Sequence, residues 1–420
     1  MQRTAYFLKT TKDVAKTEVS RNAQLLIRAG MVNQLMAGAY SYLPLGLRVL
    51  TKIENIIRDE MNRLGAGELL MPALQPREIW DVTGRWDKID VLFKLKGAGD
   101  RDLALGPTHE EVITPLAATV INSYRDLPTA VYQVQTKFRN EARAKSGLLR
   151  GREFRMKDMY SFHATQEDLD AFYEKATEAY QRIYQRVGLG DLTLRTFASG
   201  GAFSKYSHEF QTLTESGEDI VYKLPNGDAI NEEIITEREA IADLIPNYKE
   251  GDEAKLQKAK SIEVGNIFKL GTRFSEAFNL TYTDKDGSVK HPVMGCYGVG
   301  PSRVMGTVAE VLSDEAGLIW PMEIAPFHVG IVNLRVSDDG CNIATAKLND
   351  ILTAQGFEVL VDDRDTGAGD KFADMDLIGL PWQATIGPKG VAAGEVEWKN
   401  RKTGQKQSLP MGKLPEGLSL

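Results

Sequence analysis

Residues Lys137–Lys157 read KFRNEARAKSGLLRGREFRMK and carry eight basic and two acidic side chains, a net +6 in 21 residues. The run is flanked by Ala130–Phe138 and Phe154–Phe162, both rich in aromatic and β-branched residues, which read as strands. Two strands joined by the eleven polar-tip residues Ala142–Arg152 predict an antiparallel hairpin. Gly147 and Gly151 keep that tip mobile. Residues two apart on a strand share a face, so Arg139 and Glu141 are predicted to aim at one spot. A guanidinium there suits a phosphate, because its planar fork binds at two points. The carboxylate beside it suits an exocyclic amine.

The surrounding chain has 420 residues, enough for two or three domains at about 150 residues each. Hydrophobic residues make up 42% and charged residues 26%, which excludes a wholly disordered or fibrous chain. No apolar run approaches the roughly 20 residues of a membrane span. Met1–Tyr6 carry no apolar signal core, which predicts a cytoplasmic location and no membrane partner. Two cysteines, Cys296 and Cys341, exclude a disulfide framework and a cysteine-rich zinc site. The sequence has no G-x-x-x-x-G-K-S/T phosphate loop, no H-E-x-x-H and no G-x-S-x-G. The five histidines form no close pair, which argues against a transition-metal enzyme. Read globally, the net charge of -7 argues against nonspecific nucleic-acid binding.

Apolar residues at steps of three and four predict helices over 47–64 and 167–187, stopped by Gly65 and Gly188, with Thr165 and Asp168 capping the second. A short strand, Leu69–Met71, precedes Pro72. Residues 225–260 are dominated by Glu, Asp, Lys and Ala and read as a solvated helical insertion or loop. Beyond a boundary near Pro321–Pro326, strands at 329–336, 357–361 and 382–386 alternate with helices at 343–354 and 371–380. A hairpin at 395–409 follows. That alternation predicts a compact α/β domain.

A second arginine site lies at Met294–Arg303, MGCYGVGPSR. It reads as a glycine-rich strand end turning into a helix at Pro301, with Arg303 in the first turn and three glycines that let a ligand approach the backbone. F-R-N-E at 138–141 with Arg150 and Phe154 resembles motif 2 of the class II aminoacyl-tRNA synthetases, and G-C-Y-G-V-G-P-S-R at 295–303 resembles motif 3. The helix from Leu47 into the strand ending at Pro72 resembles motif 1, which forms the dimer interface in that class. Gly106–Glu111 resembles the T-x-E loop of the prolyl-tRNA synthetases, and Ser207–Gln211 with Ser216–Asp219 resembles their bacterial form. Ile262–Phe268 matches the segment that re-enters the catalytic core, and Asp362–Arg364 with Lys371–Asp374 resembles the anticodon-binding domain.

The resemblance implies an α+β fold: a class II catalytic core at 1–325, an antiparallel sheet flanked by helices, then an α/β anticodon-binding domain at 326–420. Motifs 1, 2 and 3 fall at about 47–76, 137–157 and 294–313, with the charged insertion at about 225–260. The implied activity is a ligase of protein biosynthesis, activating L-proline with ATP and Mg2+ and transferring it to tRNA(Pro), as a homodimer without zinc. Arg139 would hold the α-phosphate and the prolyl-adenylate, Glu141 the adenine amine, and Arg150 the β- and γ-phosphates. Phe154 and Arg303 would sandwich the adenine, Arg303 also reaching the γ-phosphate. These arginines are the implied catalytic set. Thr108 and Glu110 would bind the ring nitrogen, whose two N–H donors suit a carboxylate. Glu209 is the implied magnesium contact and Gln211 an ATP contact, while Phe162, His163 and Cys296 would line the prolyl pocket. Read without the resemblance, Phe154 and Phe162 fit as core strand residues, His163 as a turn partner, Cys296 as a small buried hydrophobe and Glu209 as a surface carboxylate.

The chain departs from the family's bacterial pattern in one respect. Most bacterial members carry a large editing domain between motifs 2 and 3, whereas only 44 residues separate Asp219 from Val264 here. The expectation is an enzyme unable to hydrolyse alanyl-tRNA(Pro) itself. Threonyl and seryl synthetases are the nearest alternatives, the former disfavoured by the missing zinc ligands. A silent RNA-binding paralogue is disfavoured by Arg139, Glu141, Arg150 and Arg303 being intact.

Overall fold

A computed structural model describes every residue except 14–17, 145, 238–240, 242–243, 246–248 and 250. Helix α1 (Pro44–Arg63) begins with proline, whose missing N–H is free of cost at a helix start. Its Leu45, Val49, Ile53, Ile57 and Met61 form the buried stripe that the sequence period predicts. Gly65, with φ +81°, ends it, and the chain pairs only briefly at β1 (Gly67–Glu68), two residues before the predicted strand. Helix α2 (Glu110–Ala117) follows the Gly106–His109 loop. Strands β2 (Thr129–Phe138) and β3 (Glu153–His163) then form the predicted hairpin, paired from Thr129–Phe162 to Phe138–Glu153.

Helix α3 (Gln166–Arg186) starts where the Thr165 side chain accepts from the Asp168 N–H. Strands β4 (Thr193–Ser199), β5 (Tyr206–Leu213), β6 (Asp219–Lys223), β7 (Ala229–Asn231), β8 (Gln257–Gly271) and β9 (Val293–Val299) complete a nine-stranded sheet. Its order is β5-β4-β7-β6-β8-β9-β3-β2-β1, antiparallel except where β7 meets β4 and β1 meets β2. β8 is long enough to pair with β6 through its first residues and with β5 through Ser261–Ile267. Strands β4 to β8 therefore close a ring.

Residues 225–260 depart from the solvated helical insertion or loop that their composition predicts in one respect, a buried apolar cluster. The described part contributes β7, the start of β8 and two single 3-10 turns. Ile230, Ile234, Ile235 and Ile241 join Leu224 in a small apolar cluster of their own. Ile230, Ile234 and Ile241 are spaced by four and seven, a helical interval, and the Ile241 N–H donates to Glu237 O as in a helix. The rest of the charged segment lies outside the described residues.

Helices α1 and α3, with α4 (Pro301–Val311), cover one face of the sheet in the largest apolar cluster. Glu60 of α1 is fully buried and binds Arg182 Nε at 2.7 Å and Arg186 Nη1 at 3.3 Å on α3. On the other face a smaller cluster includes Tyr160, Phe162, Met294 and Cys296.

The C-terminal region is built as its alternation predicts. β10 (Val329–Asn333), α5 (Asp339–Ala354), β11 (Val359–Asp362), α6 (Ala368–Ile378), β12 (Trp382–Ile386), β13 (Glu395–Asn400) and β14 (Lys406–Pro410) form a sheet in the order β11-β10-β12-β13-β14. The first three strands in that order are parallel and the last two antiparallel. Trp398 is fully buried in its core. The chain's first residues are docked on this sheet: Gln2 bridges Val361 on β11, and Arg3 lies 3.2 Å from Asp362 and 2.8 Å from Asp374.

Candidate active site

The face of the sheet opposite α1 and α3 opens into a cavity of about 360 Å³. Successive strand residues point to opposite faces. Phe154, Met156 and Asp158 of β3, and Cys296, Gly298 and the following Gly300 from β9, therefore line the cavity. Gly298 leaves room there for a ligand, since a Cβ would meet only Asn266 O at 3.7 Å. Gly295 has a different use: a Cβ would sit 2.4 Å from the Tyr297 hydroxyl on the helix side, so that glycine serves packing.

Arg139 and Glu141 lie past the end of β2 rather than on it. The Arg139 N–H still donates to Arg152 O, but the Glu141 N–H turns back to Arg139 O at 2.7 Å. The two nevertheless meet: Arg139, Glu141, Arg150, Phe154 and Arg303 surround one recess beside the cavity. The Arg139 guanidinium carbon lies 5.3 Å from the Phe154 ring centroid. Burial and the neighbouring Arg303 cation both lower its pKa. Among the described residues its guanidinium has no hydrogen-bond partner, so its donors face open space. Arg303 is held rigidly by Leu149 O at 2.7 Å, Glu263 O at 3.0 Å and Glu263 Oε2 at 3.0 Å. Arg150 is half exposed and pairs loosely with Glu218 at 3.4 Å.

The +6 of the basic run is spread over several places. Lys137 and Lys157 are fully buried, the former against Asp158 and the latter against the Tyr180 hydroxyl. Arg155 binds Glu54 of α1 at 2.8 Å, and Arg152 donates to Glu141 O. Lys145 lies outside the described residues. Arg139, Arg143 and Arg150 remain.

At the other end of the cavity Thr108 lines the wall and donates to Glu110 Oε2 at 2.5 Å. The Cys296 thiol donates to Glu110 Oε1 at 3.1 Å. Burial and the adjacent Glu110 push that thiol well up, so it stays protonated and donating. Phe162 does not line the cavity: it is 1% exposed within the apolar cluster below it. His163 is a correction. Its odd position on β3 turns it to the helix side, where it bonds Asp168 and Ser161 and packs on Phe172.

Glu209 is buried rather than a surface carboxylate, and it lines the cavity. Burial, reinforced by Glu263, raises its pKa to about 8. Burial also raises that of Asp219. The Asn266 Nδ2 donates to both Glu209 at 3.4 Å and Glu263 at 3.3 Å. Gln211 sits behind them, donating to Glu209 and Asp219 at 2.8 and 3.0 Å, and does not line the cavity. Glu263 and Asn266 were not singled out from the sequence. Only the β5–β8 pairing brings them beside Glu209.

Residues 93–312 match the family described as the tRNA synthetase class II core domain (G, H, P, S and T), and residues 328–419 match the anticodon binding domain family. A proline--tRNA ligase of Caulobacter sp. (strain K31) is 42% identical over 438 aligned positions, covering 100% of this chain and 98% of that protein. One from Brucella ovis is 41% identical, covering 97% of each. The chain belongs to the proline–tRNA ligase family. Among solved structures, the Giardia lamblia prolyl-tRNA synthetase in complex with prolyl-adenylate matches with a TM-score of 0.77 at 22% identity, over 92% of this chain and 74% of that one. The Cryptosporidium parvum prolyl-tRNA synthetase complexed with L-proline and AMP gives 0.75 at 18%, over 93% and 72%. Both likenesses concern the fold.

Class II synthetases use ATP with a divalent cation, generally Mg2+, and the donors here fit one. Glu209 and Glu263 are hard oxygen ligands within reach of one amide, and the raised Glu209 pKa shows an ionised form that burial and Glu263 disfavour and a bound cation would favour. Among the described residues no three metal-binding side chains gather into a cage. That suits an ion completed by phosphates and water. Among the described residues no helix is long and apolar enough to cross a membrane.

The Glu263 carboxylate supplies one of the three bonds that orient Arg303, and the charged one. Replacing Glu263 by Ala is expected to raise KM for ATP about tenfold, roughly one charge-assisted hydrogen bond. The check is the ATP dependence of pyrophosphate exchange, and an unchanged KM would sink the assignment.

Proposed function

We propose that the chain activates L-proline with ATP and transfers it to tRNA(Pro), with 1–325 as the catalytic domain and 326–420 as the anticodon-binding domain. The observation that carries this is the recess where Arg139, Glu141, Arg150, Phe154 and Arg303 converge, open to the cavity that ends at Thr108, Cys296 and Glu110. In this reading ATP lies with its adenine between Phe154 and Arg303 and its amine on Glu141. Arg139 holds the α-phosphate, and Arg150 and Arg303 the outer phosphates, while Gln211 acts behind Glu209 by fixing that carboxylate. Glu209 and Glu263 would hold Mg2+, which when bound supplies charge neutralisation on the outer phosphates. Thr108 and Glu110 take the two N–H donors of the prolyl ring.

The chemistry then needs no side-chain nucleophile. The proline carboxylate attacks the α-phosphorus in line and the bond to pyrophosphate breaks; the terminal ribose hydroxyl of the tRNA then attacks the activated carbonyl, the carbonyl–phosphate bond breaks, AMP leaves, and the hydroxyl proton passes to the departing phosphate. Arg139 binds the oxygens on which charge concentrates at the first step, and its unsatisfied guanidinium is already aimed there, so positioning and charge neutralisation do the catalysis.

The family's large editing domain has no counterpart in this reading. The described strands between Asp219 and Val264 close the strand ring, and the Caulobacter relative is covered over 98% of its length by this chain. A homodimer is supported by the sheet edge at β1, beside which Leu70 is 73% exposed and Leu74 50%. A second copy covering this edge would hide both. Cytoplasmic protein synthesis is the consistent location.

Arg139→Ala is expected to lower proline-dependent ATP–pyrophosphate exchange by about a thousandfold or more with the fold intact, the scale of removing a transition-state anion donor. Near-normal exchange would refute the site. Exchange with threonine or serine in place of proline would refute the substrate. The purified enzyme is expected to leave alanyl-tRNA(Pro) intact, and its deacylation above the buffer rate would end the claim of absent editing. Sedimentation should read a dimer for the parent and a monomer for Leu70→Asp/Leu74→Asp; a monomeric parent would contradict the interface.

A further inference from the structure

Behind the cavity wall Glu110 shares a buried charge cluster with two groups to which none of these roles has been given, Arg85 and Glu111. Arg85 follows the short helix Arg77–Thr83, and its side chain is 3% exposed. Its Nη1 lies 2.8 Å from Glu111 Oε1 and 3.6 Å from Glu110 Oε2. Thr83 Oγ1 donates to the same Glu111 oxygen at 2.9 Å. The guanidinium also packs on Phe203, 4.9 Å from the ring centroid, and Phe203 lines the cavity. Arg85 thus touches both the carboxylate at the end of the cavity and one of its aromatic walls.

Glu110 and Glu111 are both fully buried and adjacent in sequence. Burial favours the protonated form of Glu111, Glu110 beside it adds to that, and the Arg85 cation opposes it. The remaining charged and titratable groups around them are accounted for. Lys137 is paired with Asp158 at 2.8 Å. His109, lowered to about 4 by burial and Lys137, is neutral. Burial keeps the Tyr160 phenol and the Cys296 thiol neutral. Arg139 faces Glu110 only from the phosphate end of the cavity. Arg85 is therefore the cation that leaves this pair with a single excess negative charge.

We propose that Arg85 is a positioning residue for proline recognition: it neutralises Glu111 so that Glu110 alone presents an ionised carboxylate behind Thr108 and Cys296, and it holds Phe203 against the cavity. This rests on the reading of Glu110 as acceptor of the prolyl ammonium. That ammonium brings the single positive charge for which the cluster is one short.

The test is proline-dependent pyrophosphate exchange by the full chain, from about pH 6 to 9. In Arg85→Met, KM for proline is expected to rise about tenfold or more at pH 7 relative to the parent, with KM for ATP within about twofold. The ratio of the variant's proline KM to the parent's should fall as pH rises, because the unneutralised pair then shares fewer protons. The charge-balanced double variant Arg85→Met/Glu111→Gln should bring proline KM back towards the parent and remove the pH dependence. Arg85→Lys, which keeps charge without the planar stack, should lie between. A parallel rise in both KM values, a pH-independent ratio, or a double variant no better than the single one would overturn the proposal. Should Arg85→Met fail to fold, the double variant alone decides, supporting the proposal by a near-parental proline KM and overturning it otherwise. Glu110→Gln separates the two claims. An unchanged proline KM there removes the Glu110 reading, whereas a large rise there with no Arg85 pattern removes only this inference.

Discussion

The two-residue alternation of β3 is the constraint on which the site depends. This strand lies between β2 and β9, with a different environment on each face. Even-numbered positions give the cavity Phe154, Met156 and Asp158, while odd-numbered ones send Lys157, Ser161 and His163 into the helix layer. A slip of one residue would exchange the two sets, placing Lys157 in the cavity and an aromatic ring among helices. The register is pinned from both sides, by ten paired positions with β2 and seven with β9. Arg155 adds a clamp from outside the ladder, since it binds Glu54 of α1 and exchanges hydrogen bonds with Ser302 at the start of α4. One residue thereby ties the segments resembling motifs 1, 2 and 3 together.

A cavity built this way contains more ionised groups than its solvent exposure would allow by themselves. Leaving a buried charge without its partner costs about 3 to 5 kcal/mol, so each must be matched. Lys137 and Asp158 match each other, and Arg303 and Glu263 do the same at the far end. The groups left unmatched are informative. Arg139 has donors facing open space, and burial with Glu263 nearby disfavours the ionised form of Glu209 until a cation answers it. A cation-poor end, a cation-rich recess and an acidic ledge between them suit a substrate set of ammonium, phosphates and divalent ion.

How much of this was legible depended on the range of the interaction. The hairpin, the long helices, the capping threonine and the C-terminal alternation are local, and each came within a few residues of its place. Motif residues such as Arg139, Glu141 and Arg303 were legible because their chemistry needs a fixed type at a fixed spacing. The resemblance implies a pocket role for His163, but its odd position on β3 puts it on the helix side, where it pairs with Asp168. Glu263 and Asn266 carry no local signature, and become neighbours of Glu209 only through a pairing 54 residues long in sequence between Glu209 and Glu263. The apolar cluster around Ile230 and Ile234 was hidden because the charged composition of the longer segment masks a short apolar run.

Net charge shows the same dependence on range. A total of -7 describes the solvated surface, and a local +6 describes a stretch of chain; neither describes the site. Of the eight cations in that stretch, two are buried as partners of the sheet, one is spent on α1 and one on backbone. What matters for binding an anion is which guanidinium is held in place with its donors unused. Arg303 meets the first condition through Leu149 and Glu263, and Arg139 meets the second through its position past the last ladder bond. The sheet therefore does more than display basic residues. By pairing several of them elsewhere it leaves a small number pre-aimed at one recess, where fixed charges would meet an anion without reorganising.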